Sequence, residues 1–132
     1  MASRILARGP VCKHENVTTV LIVDDHPSFR ATARALLEAE GFDVLGEAED
    51  GETAIAAAEQ LNPDVVLLDV QLPDQTGFQV ASRLTANGST VSVVLVSSRD
   101  GSDYGPLVEE SGARGFVPKG ELSGARIAAL LE

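Results

Sequence analysis

Val65-Val66-Leu67-Leu68 runs straight into Asp69, and Val70-Gln71-Leu72-Pro73-Asp74 then turns the chain at once. A continuous apolar run this short, closed by a turn signal, reads as a strand buried on both faces. Strands of that kind lie in the middle of parallel sheets. Asp69 then falls at the strand's carboxyl edge, where open α/β sheets bind their ligands. The plainer alternative is that Asp69 only caps a loop, as aspartates often do. The rest of the chain decides between the two.

Residues 17–23 repeat the buried-strand pattern and run into Asp24-Asp25-His26-Pro27. From Pro27 the period changes. Phe29, Ala33, Leu36 and Leu37 recur at helical spacing, Pro27 suits a first helical turn, and Gly41 is a natural stop. Residues 42–46 are short and alternating, as expected of an edge strand. Asp50-Gly51 opens a helix with Ala54, Ile55, Ala58 and Leu61 on one face, and Asn62-Pro63-Asp64 ends it. After the Val65 strand, Gly77 begins a third helix that runs to about Ala86, with Phe78, Ala81 and Leu84 inward. Asn87-Gly88 turns the chain. Residues 91–96 form a further buried strand that ends in Ser97-Ser98. Gly101, Gly105 and Pro106 leave room for only a short helix, over residues 106–110. Residues 112–117 predict a last strand leading to Pro118-Lys119-Gly120, and residues 121–131 a closing helix with Leu122, Ala125, Ala128 or Ala129, and Leu130 inward.

Strand and helix thus alternate five times. That pattern predicts an α/β fold: a five-stranded parallel sheet with helices on both faces and right-handed crossovers. Besides the Val91 strand, the runs at Val17 and Val65 are the most apolar, and these two belong in the centre, with the Phe42 strand at an edge. The expected order is the flavodoxin-like 2-1-3-4-5.

A chain of 132 residues that is 44% hydrophobic builds one domain with a real core. The first 16 residues carry Arg4, Arg8, Lys13 and Glu15 around Gly9-Pro10 with no period, and predict a flexible tail before a domain over residues 17–132. The formal net charge is -10, and without that stretch 7 basic residues face 19 acidic ones. Such a surface argues against binding nucleic acid through its phosphates and suits an acidic cation site, a basic protein partner or plain solubility. Cys12 is the single cysteine, so no internal disulfide forms. No apolar run approaches a membrane span, and no apolar segment near Arg4 and Arg8 is long enough for a signal peptide, so a cytoplasmic location is expected.

The strand ends carry the chemistry. Strand one delivers Asp24 and Asp25, strand three Asp69, strand four Ser97 and strand five Lys119, all on one edge of the sheet. Three carboxylates converging there repel one another unless a cation sits between them. An oxygen-only site with water access suits Mg²⁺. Lys119 adds a compact positive charge and Ser97 a hydroxyl donor. Together they describe a site that stabilises a phosphoryl group in flight, with Asp69 as the nucleophile that forms an aspartyl phosphate. Alone, Lys119 is a surface lysine and Ser97 a satisfied hydroxyl; both gain weight from the joint pattern. His26 is assigned to the helix start, Asp50 to a cap and Asp74 to a turn.

With the acidic pair, the Asp69-to-Asp74 stretch with Gly77, Ser97 after an apolar strand, and Gly112-Ala113-Arg114-Gly115-Phe116-Val117-Pro118-Lys119, the chain resembles the receiver domain of two-component response regulators over about residues 17–131. The resemblance implies a signalling switch rather than an enzyme. It implies a phosphoacceptor at Asp69, and Mg²⁺ bound by Asp25, Asp69 and the Gln71 backbone carbonyl, with Asp24 acting mainly through water. Ser97 would be the switch hydroxyl and Phe116 the switch aromatic. The phosphoryl donor would be a sensor histidine kinase or a histidine phosphotransfer protein. The Gly-Ala-Arg-Gly-Phe segment is similar to receivers that carry a helix-turn-helix DNA-binding domain, and none is expected within these 132 residues. The expectation is a receiver that stands alone or is excised from a transcriptional regulator, with an output partner the sequence does not name and no direct nucleic-acid contact. Gly120 follows Lys119 where many receivers carry proline.

Two other classes compete. An aspartyl-nucleophile phosphatase of the haloacid-dehalogenase kind wants a second Asp two residues after the first, where this chain has Gln71, and a cap domain. A flavin-binding electron carrier wants a first loop rich in Ser, Thr and Gly; Asp24-Asp25-His26-Pro27 repels a phosphate.

Overall fold

The computed structural model describes residues 17–86, 88–98 and 104–131; the expected tail, Asn87 of the turn and Gly101 lie outside the described residues. The elements are β1 (Thr19–Val23), α1 (Pro27–Ala39), β2 (Asp43–Ala48), α2 (Gly51–Leu61), β3 (Val65–Asp69), α3 (Gly77–Thr85), β4 (Ser92–Ser97), α4 (Leu107–Glu110), β5 (Gly115–Pro118) and α5 (Gly124–Leu131), with a 3-10 turn over Lys119–Glu121. The sheet is parallel throughout, in the order β2-β1-β3-β4-β5. The predicted flavodoxin-like order therefore holds, with the alternating strand at one edge.

Successive side chains of a strand point to opposite faces, which splits the apolar runs into two layers. Leu21, Val23, Val66, Leu68, Val93 and Leu95 pack on one face against Ala54 of α2 and Val80, Ala81 and Leu84 of α3. Val20, Ile22, Val65, Leu67, Val94 and Val96 pack on the other against Ala33 and Leu37 of α1 and Ile127 of α5. Every residue of β3 is buried, as a strand covered by helices on both faces requires. Each fully buried aliphatic side chain stabilises the fold by about 1.5–3 kcal/mol.

Polar residues fix the helix starts. The Asp50 carboxylate accepts from the Thr53 N–H at 2.8 Å and caps α2. Asp74, expected only to turn the chain, reaches the same helix from the loop after β3 and accepts from the Gly51 and Glu52 N–H groups at 2.8 and 3.1 Å. Those bonds hold its carboxyl below the usual range. Thr76 and Gln79 form a reciprocal capping box on α3.

The boundaries differ from the sequence expectations where small residues blur the pattern. β2 runs on to Ala48 and so takes in Glu47. β5 begins at Gly115, three residues late, because Gly112 adopts a φ of 86° to turn the chain out of α4. α5 begins at Gly124, after the 3-10 turn, and buries Gly124 and Ile127 with Leu122, Leu130 and Leu131 half-buried; Ala125, Ala128 and Ala129 face solvent. Leu61, placed on the inner face of α2, is 37% exposed at the last residue of the helix, beside Gly46 of the edge strand. Among the described residues, no helix is long and apolar enough to cross a membrane.

Candidate functional site

Parallel strands bring their carboxyl ends to one edge, and four side chains, Asp24, Asp25, Asp69 and Lys119, gather there. Asp24 follows β1 directly, and its N–H still donates to the Ala48 carbonyl at 3.0 Å, as though the ladder ran one step further. Its side chain is fully buried. Oδ1 accepts from the His26 N–H at 2.8 Å. Oδ2 lies 2.6 Å from the Lys119 ammonium, yet no group meets it in hydrogen-bond geometry. Asp25, the next residue, turns outward and is exposed.

Asp69 ends β3 and is 4% exposed. Its Oδ1 accepts from the Gln71 N–H at 3.3 Å, and its Oδ2 lies 3.5 Å from Lys119 Nζ. Burial, and then the charge of Asp24, push the Asp69 carboxyl up to about 6 against the pull of Lys119 and the Gln71 amide. The ammonium also sits 4.5 Å over the ring of Phe29 in α1. Lys119 is thus held between two carboxylates and an aromatic face.

Asp24, Asp25, His26 and Asp69 each offer a ligand atom, and these atoms lie within 4.8 Å of one another. His26, assigned to the helix start, is the N-cap residue of α1, but its side chain caps nothing. Its Nδ1 instead lies 3.0 Å from Asp24 Oδ1 and 3.1 Å from Asp25 Oδ1. Gln71 lies two residues past Asp69 in a loop closed by a bridge to Thr76 and by the Gly77 N–H, which donates to the Val70 carbonyl at 2.6 Å.

Ser97 ends β4, buried, and its Oγ is 2.9 Å from the Tyr104 hydroxyl. The Tyr104 ring packs between Phe78, at 5.3 Å, and Phe116, at 5.5 Å. Phe116 is half-buried in β5.

The structure therefore brings Asp24, Asp25, Asp69 and Lys119 together, sets Gln71 beside them in the loop after Asp69, and joins Ser97 to Phe116 through Tyr104. Two residues escaped the sequence reasoning, Phe29 as the seat of Lys119 and Arg30, as did the pairing of Tyr104 with Ser97. Tyr104 and Phe29 carry no local signal, because their partners are set by the fold. Arg30 does carry one. A cation in the first turns of a helix opposes the helix dipole, so another group must hold it there.

The Response_reg family, the response regulator receiver domain, matches residues 20–131, and the chain belongs to this family. It is 38% identical over 102 residues to the positive transcription regulator of virulence factors BvgA from Bordetella pertussis, covering 77% of this chain and 49% of the relative. It is 36% identical over 110 residues to the DNA-binding transcriptional activator EvgA from Escherichia coli K12, covering 83% and 54%. Among solved structures, the signal receiver domain of the response regulator NarL from Mycobacterium tuberculosis superimposes with a TM-score of 0.77 at 32% identity, covering 87% of this chain and 97% of that one. The chain is a receiver domain of two-component response regulators, a signalling switch of phosphorelay transduction. It spans about half the length of the curated relatives it matches.

Proposed function

We propose that Asp69 is the phosphoacceptor, that Mg²⁺ is its cofactor, and that the donor is a phosphohistidine on a sensor kinase or phosphotransfer protein. The observation that carries this reading is a buried carboxylate at a strand end, sharing one ammonium with a second buried carboxylate. An Asp69 oxygen attacks phosphorus in line, the O–P bond forms as the N–P bond breaks, and the histidine leaves with the electron pair. The residues present fit a divalent ion: Asp24, Asp25 and Asp69 offer hard carboxylate oxygens within 4.8 Å of one another, beside His26. Asp25, Asp69 and the Gln71 carbonyl would hold it, with Asp24 acting mainly through water. Bound there, Mg²⁺ neutralises charge on the transferring group. Lys119 holds a further phosphoryl oxygen, and Ser97 donates its hydroxyl to another.

The BvgA and EvgA names support the further proposal that this chain is the receiver portion of a cytoplasmic transcription regulator whose output lies in another segment or partner. The acidic charge of the chain supports an output that does not bind nucleic acid through the receiver itself.

Acetyl phosphate with Mg²⁺ tests the chemistry. One acid-labile, hydroxylamine-sensitive phosphoryl group is expected by mass spectrometry. The Mg²⁺ needed for half-maximal labelling should rise strongly in Asp25→Ala and less in Asp24→Ala. No label on wild type at saturating Mg²⁺, or undiminished Mg²⁺ affinity in both variants, overturns the assignment.

The Ser97–Tyr104 contact supports a switch reading. A phosphoryl group on Asp69 offers strong acceptors to the Ser97 hydroxyl. As Ser97 turns toward them, Tyr104 gives up its 2.9 Å contact and Phe116 moves into the space beside β4. Burying that aromatic edge favours the inward rotamer by about 1–2 kcal/mol, enough to shift a population. Beryllofluoride with Mg²⁺ should move the backbone NMR signals of Tyr104 and Phe116 in wild type and move them much less in Ser97→Ala. Equal shifts in both proteins rule this switch out while leaving the phosphoryl chemistry standing.

A further inference from the structure

We infer that Arg30 is a positioning residue of the cation site, clamping the peptide that carries Asp25. The inference rests on the phosphoacceptor reading above and extends it to a side chain outside the reacting group. Asp24 is held at three points. Its N–H is on the Ala48 carbonyl, its carboxylate accepts from the His26 N–H, and its carbonyl accepts from Arg30 Nη1 at 2.6 Å. That carbonyl belongs to the peptide unit joining Asp24 to Asp25, so its direction sets where the Asp25 side chain leaves the backbone. In a parallel ladder the next donor to this carbonyl would come from β2, but β2 has ended at Ala48. The guanidinium fills that place.

Arg30 is itself fastened. Its Nε donates to Glu47 Oε1 at 3.0 Å, and the second Glu47 oxygen accepts from Arg34 Nε at 2.7 Å. The Arg30 side chain is 16% exposed, well below its neighbour Arg34 at 36%. A planar fork is needed to serve a carbonyl and a carboxylate at once, which one lysine ammonium on a flexible stem does poorly. A cation in the first turns of α1 opposes the dipole, and the Glu47 bond offsets that cost.

Direct Mg²⁺ titration by calorimetry, with thermal melting of the metal-free proteins beside it, tests the assignment. Groups that orient metal ligands typically change affinity by about 10–100-fold when removed. Arg30→Ala should weaken Mg²⁺ about tenfold, and Arg30→Lys should recover only part of the loss. A role confined to stability predicts a lower melting midpoint with unchanged Mg²⁺ affinity measured well below it, and that outcome overturns the inference. Should Arg30→Ala fail to fold, Arg30→Lys binding Mg²⁺ as tightly as wild type overturns it equally. A wild-type chain that binds no Mg²⁺ overturns the phosphoacceptor reading and this inference together; a wild type that binds, with variants that bind just as well, overturns this inference alone.

Discussion

Asp69→Asn should reduce phosphoryl labelling to background and, in the metal-free protein at about pH 8, make the chain more stable, by at most about 3 kcal/mol. The first effect follows from replacing an anionic oxygen nucleophile by a neutral amide. The second follows from burial. Asp69 sits 4% exposed beside Asp24, and its carboxyl is pushed up from 3.8 to about 6, by desolvation foremost and by the Asp24 charge next. A carboxyl with a raised native pKa binds its proton more tightly when folded. Its stabilising contribution is therefore full below the unfolded value and is lost as pH rises through the folded one. The advantage of Asn should be near zero at about pH 4, grow between about pH 4 and 6, and level off above that. A shift of about two pKa units at about 1.4 kcal/mol each sets the upper limit. Urea unfolding of both proteins across this range measures it. An Asn variant less stable than wild type at high pH, or a gain that does not vary with pH, contradicts the account. Mg²⁺ should narrow the gap by stabilising wild type through mass action.

Gly77→Ala should cost about 2–4 kcal/mol and depress labelling with it. A Cβ at this position would stand 2.3 Å from the Asp69 carbonyl oxygen and 2.9 Å from the Val70 Cα. Both are backbone atoms that cannot swing aside. The Gly77 N–H also bonds the Val70 carbonyl at 2.6 Å, so pushing α3 off the end of β3 strains that bond too. The carbonyl oxygen belongs to Asp69, the residue proposed to carry the nucleophile. Gly120→Ala is the control: nothing lies within 4 Å of its Cβ position, and the change should stay within about 0.5 kcal/mol. Equal urea midpoints for the two variants would show that α3 yields more easily than its packing implies.

The strands and the first three helices were legible because large aliphatic residues announce their period. Val-Leu-Ile-Val before Asp24 and Val-Val-Leu-Leu before Asp69 leave little choice of element, and chain order then puts both acids on one edge. Legibility failed where alanine and glycine replaced larger residues. In Gly-Ala-Arg-Ile-Ala-Ala-Leu-Leu of α5 the alanines fit either face, and only packing selects Ile127 over Ala128. It failed again where a side chain finds its partner across the fold. Asp74 meets α2 through a chain separation of 23 residues, Arg30 meets Glu47 across 17, and no spacing rule anticipates such pairs.

The grip of Asp74 on α2 has a mechanical side. A domain that switches on one flank, as proposed above, needs a frame on the other. Two amides of the first α2 turn are tied to the loop that leaves Asp69, and Asp50 closes the same turn from within the chain. The loop after β3 and the start of α2 are thereby braced together beside Asp69. Across the sheet, α4 is a helix of four residues with none buried, coupled to the site through one tyrosine and its ring neighbours. On the proposed switch, a small displacement at Asp69 should therefore reach α4 and β5 and leave the α2 side standing.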